Sequence, residues 1–425
     1  MGFDMASLPE DWQVKPIREA YRFTKKPRGL TIKADNPIPF LPMDLIPIGR
    51  VCVSDFEERL GSALTSGTYI ENGDLLVAKI TPSFENGKQA IVDWKKPFGF
   101  ATTEVIPIQE VEGVSDKFFL FHLMLHPAIR SDLAGKMDGT TGRQRLSKEV
   151  LGDRLIPLPT LPEQRKIAAV LGLVQRAIEE QARLLALTTE LKKTLLHKLF
   201  TEGLRGETQK QTEIGPVPES WEMVKIGSLG KVVTGTTPKT KVSEYYAPPE
   251  VDFIAPADLG RTRQVYRSEK KISQRGLEVI RCLPKDAVMC VCIGSSIGKI
   301  GMTSKADSAT NQQINSIICN DKHDPAFVYY LLSYFAEYWR GFATFGPVPI
   351  LSKGNFENIK IVVSLPKEEE EIAQCLSSVD AKIEVHMHRK ALLNELFCNL
   401  LQQLMTAQIR VRDLDLPNGE TDETE

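Results

Sequence analysis

The sequence predicts an α/β (α+β) chain: two similar globular modules joined by two long helices that form an antiparallel coiled coil, with a pseudo-two-fold internal repeat. Three observations predict it. The second half echoes the first at a spacing near 205 residues. Each half ends in a stretch of about 40 residues with no internal proline and an apolar seven-residue rhythm. Ahead of each stretch, short β-like runs and a few helical segments alternate with polar, glycine-containing loops.

The repeat is read from matched words. Pro9-Glu10-Asp11-Trp12 returns as Pro218-Glu219-Ser220-Trp221, an offset of 209, and Gly87-Lys88 returns as Gly298-Lys299, an offset of 211. Ala101-Thr102 returns as Ala309-Thr310, and Leu146-Ser147-Lys148 as Leu351-Ser352-Lys353. From Ile167 onward the offset is constant at 205, pairing Ile167 with Ile372 and Leu171 with Leu376. A drifting offset followed by a fixed one describes two diverged modules, each ending in a rigid element of shared length.

That element is a helix. Pro162 and Pro366 stand where a first-turn proline costs no hydrogen bond. Glu163, and Glu368 to Glu371, place negative charge at the positive end of the helix dipole. A helix of about 40 residues is roughly 60 Å long, which exceeds ordinary globular helices. Leu171, Val174, Ile178, Leu185, Leu195 and Leu199 fall on one seam, and Leu376, Val379, Ile383, Leu393, Phe397, Leu400 and Leu404 on the other. Gln181, Thr188 and Lys192 interrupt the first seam, His386 and Lys390 the second; such residues weaken packing but penalise wrong registers. The alternative is two ordinary amphipathic helices in one core. Because the second module lies between the two helices, helices that pack on each other must run antiparallel. The expected divisions are 1–160 for the first module, 161–205 for the central helix and 206–363 for a linker and the second module. The C-terminal helix follows over 364–409, then an acidic tail over 410–425.

Within the modules, Asp74–Ala78 and Asp286–Cys290 read as buried strands, and Asp116–Leu125 and Pro325–Trp339 as aromatic-rich helices. The loops carry the functional signal. In the first module they offer Thr81, Ser83 and Lys88, then Thr140, Thr141, Arg143, Gln144 and Arg145. In the second they offer Thr236, Thr237 and Lys239, then Ser295, Ser296 and Lys299, then Asn311 and Gln312, and finally Thr344. Lys and Arg neutralise phosphates, hydroxyls position a duplex, and Arg, Asn and Gln read base edges. These residues are therefore candidate DNA contacts. A polar loop is also what any solvated surface shows, so no single loop decides the matter.

Composition sets the outer bounds. With 42% hydrophobic residues the chain supports packed cores. The net charge of −2 hides an uneven distribution: Asp413, Asp415, Glu420, Asp422, Glu423 and Glu425 crowd the end, and without those six acids the rest carries +4. Residues 261–275 hold six basic side chains against Glu269 alone. No run of about 18 apolar residues predicts a membrane span, and the first residues lack a secretory pattern. The seven cysteines are scattered; they read as reduced thiols and fit a cytoplasmic protein.

Three catalytic motifs fail on inspection. Asn36-Pro37-Ile38-Pro39-Phe40 resembles the amine-holding loop of amino-methyltransferases, but Ile38 separates the prolines. Gly294-Ser295-Ser296-Ile297-Gly298-Lys299 is one residue short of a phosphate-binding loop, and Ile300 stands where Ser or Thr should hold magnesium. His122 and His126 share a helical face, but Leu123 follows His122 where a zinc protease needs Glu. No catalytic residue and no metal site is assigned.

The Pro-Glu-Xaa-Trp openings, the two half-sequences, and Ile156-Pro157-Leu158-Pro159-Thr160-Leu161-Pro162-Glu163-Gln164 running into a long Leu-rich helix resemble the specificity subunits of type I restriction-modification systems. The resemblance covers about residues 8–409, and its most specific element is Leu161-Pro162-Glu163-Gln164. The second copy has Leu365-Pro366-Lys367-Glu368 there, which puts in doubt any specific contact made by Glu163 and Gln164. The resemblance implies a non-catalytic DNA reader with two target-recognition domains. They would read a bipartite double-stranded site whose spacer the coiled coil sets. It implies partner methyltransferase subunits, two in number, that hold S-adenosylmethionine and methylate adenine at N6. It also implies motor-nuclease subunits that use ATP and magnesium, with no cofactor bound by this chain. From a different class, a two-domain coiled-coil scaffold for protein partners remains the alternative.

Overall fold

The computed structural model describes residues 7–64, 66–140, 142–344 and 346–411. It divides into two compact units, one running to Arg183 and resuming at His388, the other spanning Leu184–Met387. Thr141 and the acids from Asp413 onward lie outside the described residues.

In the first unit a five-stranded sheet has the order Tyr21–Phe23, Val105–Glu110, Leu75–Ala78, Gln89–Val92, Cys52–Val53. The second unit repeats it with Gly230–Thr234, Ile314–Cys319, Val288–Val291, Ile300–Thr303 and Gln264–Val265. In both, the last pair is parallel and the other pairs antiparallel. A smaller sheet accompanies each: Glu57–Leu60, Pro37–Leu41, Phe98–Ala101 and Thr68–Glu71 in the first unit, and Lys270–Ile272, Val251–Ile254 and Ala309–Thr310 in the second. A two-stranded ribbon, Gln13–Pro16 with Leu155–Leu158 or Glu222–Lys225 with Lys360–Val363, ties each module's start to its end. Four apolar residues in a row, as in Leu75–Ala78 and Val288–Val291, are buried on both strand faces.

The expected strand at Asp286 begins only at Val288, because Asp286 adopts a left-handed turn conformation with φ 63°. The aromatic helix expected over 325–339 is two helices, Pro325–Tyr334 and Ala336–Arg340, broken at Phe335. Asp116 and Asp324 each cap their helix, accepting from the Phe119 and Phe327 N–H groups at 2.8 Å.

The two long helices span Leu161–Glu202 and Pro366–Met405, shorter at their ends than expected. Each unit's core takes half of each helix. Ile167, Ala168 and Leu171 share the first core with Leu401, Leu404 and Met405. Leu199 and Phe200 share the second with Ile372, Ala373 and Leu376. In each unit the start of one helix thus meets the end of the other, which is antiparallel pairing. Every seam residue named from the sequence is buried or half-buried, whereas Leu173, Leu187, Leu191, Leu392 and Leu396, off the seam, are exposed. Lys192, a polar interruption, has its ammonium 2.6 Å from Asp380.

The second copy's altered helix start does not abolish the contact at that point. Trp12 Nε1 donates to Glu163 at 3.1 Å, and Trp221 Nε1 donates to Glu368 at 3.2 Å. Glu163 and Glu368 are 205 residues apart, so the register preserved the acceptor while Lys367 changed the letters around it. The next position did change: Gln164 accepts from Asp116 N–H at 3.0 Å, and Glu369 accepts from Asp324 N–H at 3.1 Å while paired with His323.

Candidate nucleic-acid interface

In the first unit, the turn after the Leu75–Ala78 strand is stitched to the loop at 138–146. Thr81 N–H donates to the Gln144 carbonyl at 3.0 Å, and Leu146 N–H to Lys79 at 2.7 Å. Asp138 and Arg145 exchange backbone hydrogen bonds of 2.8 and 3.0 Å, closing the loop that presents Thr140 and Arg143. The two loops, far apart in sequence, therefore form one surface holding Thr81, Ser83, Lys88, Thr140, Arg143, Gln144 and Arg145. The Thr81 hydroxyl is buried with no hydrogen-bond partner among the described residues. Arg143 is exposed, and its side chain has no ionic partner among them. Arg145 instead grips Glu104 in a forked contact, with Nη2 at 2.9 Å and Nε at 3.0 Å. That contact holds the Glu104 carboxyl below its ordinary range.

The second unit brings together all three of its early loops with the last one. Gly294 N–H donates to Pro349 at 2.9 Å, and Leu351 N–H to Cys292 at 2.8 Å, joining 293–299 to 344–351. Gln313 Nε2 reaches the Ile293 carbonyl at 3.3 Å, and Asn311 Nδ2 reaches Gln313 at 2.9 Å. Thr236 N–H donates to Thr310 at 2.9 Å, and the Thr237 hydroxyl to Gln312 at 2.7 Å. Gly235 permits this approach, since a Cβ there would lie 2.1 Å from the Asn311 carbonyl oxygen. Lys239, Ser295, Lys299, Gln312 and Thr344 are exposed on this surface, and Ser296 and Asn311 are half-buried. Thr344 is partly spent on its own loop, accepting from Ile350 N–H at 3.1 Å. Phe342, Val348 and Ile350 are exposed beside it, a contrast with the polar loop of the first unit.

The sequence reading missed Glu104 and Gln313. Aligning Ala101 with Ala309 would have found the first, because it sets Glu104 opposite Gln312. The basic run at 261–275 is partly neutralised: Arg275 pairs with Glu244 at 2.7 Å, and Lys271 lies 3.9 Å from Asp252.

The rejected motifs take structural roles. Pro37–Leu41 is a strand, with Ile38 and Phe40 buried. The 294–299 loop leads into the strand Ile300–Thr303, not the helix a phosphate-binding loop requires. His122 is buried, which pulls its pKa down to about 3 and keeps it neutral, and His126 bonds Gln402 at 2.9 Å. Cys290 and Cys292 are buried free thiols, and burial pushes Cys292 up to about 12. Among the described residues no group of side chains is arranged to hold a metal, and no helix is long and apolar enough to cross a membrane.

A loop-bearing αβ module written twice, each copy completed by paired long helices, defines a duplicated recognition protein. The family model described as the type I restriction modification DNA specificity domain matches residues 218–395. The MjaX specificity subunit of Methanocaldococcus jannaschii is 24% identical over 423 residues, covering 96% of both chains. The MjaVIII specificity subunit of the same organism is 23% identical over 425 residues, covering 96% of this chain and 95% of its own. Among solved structures, the type I restriction-modification S subunit from M. genitalium superposes with a TM-score of 0.61 at 16% identity, over 92% of this chain and 96% of that one; this likeness is one of fold. Over nearly its whole length the chain is thus similar to type I restriction-modification specificity subunits, and its second half matches their family model. The scaffold alternative gains nothing from these relatives.

Proposed function

We propose that this chain is the DNA-recognition subunit of a type I restriction-modification complex, reading a bipartite duplex site with one half-site per module. The observation that carries the reading is the repeated surface: in both units the turn at 81–88 or 293–299 is hydrogen-bonded to the late loop at 138–146 or 344–351. A duplicated surface of hydroxyls, amides and cations is suited to two stretches of the same kind of polymer. Arg143 is the residue in the first module best placed for base readout, being exposed and uncommitted. The subunit itself carries out no chemistry; it directs methyltransferase and motor-nuclease partners.

In this reading two methyltransferase subunits bind, one per module, and supply S-adenosylmethionine for adenine-N6 methylation of a flipped base. The motor-nuclease subunits use ATP and magnesium, and the complex acts in the cytoplasm. The helix pair sets the spacer between half-sites, as supported by the continuous 42- and 40-residue helices.

Methylome mapping of cells carrying the complete system tests this. A split motif with a fixed spacer is expected. Removing the same whole number of turns from both long helices should shorten the spacer and leave both half-sites intact. A changed half-site with an unchanged spacer would overturn the ruler.

A further inference from the structure

Behind the loops of the first unit lies a groove of about 1000 Å³, walled by 48–50, 86–87 and 125–130 and by the helix faces at 175–183 and 390–402. Its charges are unbalanced. Glu180 is committed to Arg183 at 2.9 Å, and Glu179 accepts the Val51 N–H at 3.3 Å. Arg50, Arg130, Arg176 and Lys390 line the same groove with no carboxylate partner among the described residues.

Arg130 is the informative one. It is half-buried, and burial alone pulls its pKa down. Its guanidinium lies against the bare backbone of Gly87, where a Cβ would sit 2.7 to 2.8 Å from its terminal atoms. Gly87 has φ 71°, so the turn excludes a side chain by conformation as well as by space. A desolvated cation without a counter-charge is unfavourable until an anion arrives. The repeat keeps the neighbourhood but not the unpaired charge: in the second unit the Arg340 side chain lies beside Gly298, with φ 99°, 3.5 Å from where its Cβ would be, but its guanidinium is paired with Glu337 at 2.7 Å. In both copies the glycine is followed by a lysine, Lys88 or Lys299, that belongs to the candidate DNA surface.

We infer that the groove is a binding site for backbone phosphates of duplex DNA, with Arg130 as its central ligand and Arg50 and Arg176 flanking it. The planar guanidinium fork suits a phosphodiester, and the duplicated glycine–lysine turn links the site to the recognition loops. This rests on the reading of the chain as a DNA-recognition subunit, and it adds affinity without base discrimination.

The test uses the full chain assembled with its methyltransferase partner, titrated with a mixed-sequence duplex and with the mapped split site across a range of salt concentrations. Arg130→Ala should weaken both duplexes by the same factor and flatten the slope of log K against log salt by about 0.9, the value for one lost phosphate contact. Arg130→Lys should retain most of the slope. Arg176→Ala, at an exposed position where folding is not at stake, should flatten it similarly. Unchanged slopes in both alanine variants would overturn the site. So would a loss confined to one base pair, which marks a base reader. Weakened assembly with the methyltransferase at an unchanged DNA slope would also overturn it, and would place an acidic protein segment in the groove. If the unmodified complex itself shows no salt-dependent DNA binding, the functional reading falls and the groove with it, a result distinct from unchanged slopes in the variants of a complex that does bind.

Discussion

Replacing Asp380 should destabilise the second unit by an amount set by the buried network around it. Its carboxylate accepts the Tyr330 hydroxyl at 2.6 Å and pairs with Lys192 at 2.6 Å, with side-chain exposures of 10% for the acid and 22% for the lysine. Removing one partner of such a buried pair costs about 3–5 kcal/mol, because the other charge is left without an anion. At about 2–4 °C per kcal/mol for a unit of this size, Asp380→Ala should lower the melting temperature by roughly 6–20 °C. Asp380→Asn keeps an acceptor for Tyr330 and removes only the charge, so its cost should be smaller. Combining Asp380→Asn with Lys192→Met removes both charges and keeps that acceptor, and should recover most of the loss. Urea denaturation followed by tryptophan fluorescence reads all of these variants. A cost below about 1 kcal/mol for Asp380→Ala, the range of an exposed pair, would refute the reasoning. So would a double variant no more stable than Asp380→Asn alone.

Three other outcomes follow from single groups. Asp74 is fully buried, and burial raises its carboxyl to about 6. A folded pKa above the unfolded value near 4 means the folded state binds the extra proton between them. Stability should therefore fall as pH rises from about 4 to about 6, by up to about 3 kcal/mol, and Asp74→Asn should remove that part of the pH profile in denaturation curves. Arg143→Ala should relax discrimination at one base pair by about 1–3 kcal/mol, measured with single-substitution duplexes. Arg145→Ala, whose guanidinium is held by Glu104, should leave that discrimination largely unchanged. Arg410 bonds Glu163 at 2.6 and 2.7 Å and Asp11 at 2.6 Å, over a Glu163 only 2% exposed. Arg410→Ala should cost about 3 kcal/mol by stranding that acid, whereas Arg205→Ala, at the exposed position 205 residues earlier, should cost less than about 0.5 kcal/mol in the same melts.

The helices were legible because periodicity is a local property: a seam every seven residues separates Leu185, half-buried, from Leu187, exposed, without knowledge of the partner. The candidate loops could be listed from the sequence, but not the way they pair. Nothing near Arg145 in sequence announces Glu104, and the contact exists only because the 138–146 loop folds back on Lys79. The break at Phe335 was invisible for a related reason. The run from Phe327 to Trp339 contains no glycine or proline, and the interruption comes from packing, with Phe335 lodged against Phe200 and Tyr334. Arg130 could be counted as a charge but not placed, since its significance comes from the bare backbone of Gly87.

The substitutions between the copies follow a logic of their own. In the second unit the Lys192–Asp380–Tyr330 triad occupies the positions that Phe397, Gln175 and His122 hold in the first, displaced by 205, 205 and 208 residues. There, His122 faces Phe397 at 5.9 Å between ring centroids, and Gln175 turns to the Gly49 carbonyl. One unit links its long helices through the Lys192–Asp380 pair, whereas in the other Phe397 and Gln175 turn away to His122 and Gly49. A neighbouring pair differs too: His126 bonds Gln402, whereas Tyr334 bonds His197, each at 2.9 Å. Two helices with the same seam could pair in several ways, within one chain or between chains. Setting Phe397 opposite Asp380, or Lys192 opposite Gln175, would bury a charge without its counter-charge, a penalty of several kcal/mol. The divergence between copies thus makes the correct antiparallel partner distinguishable from its near-identical relative, which the shared leucines alone cannot do.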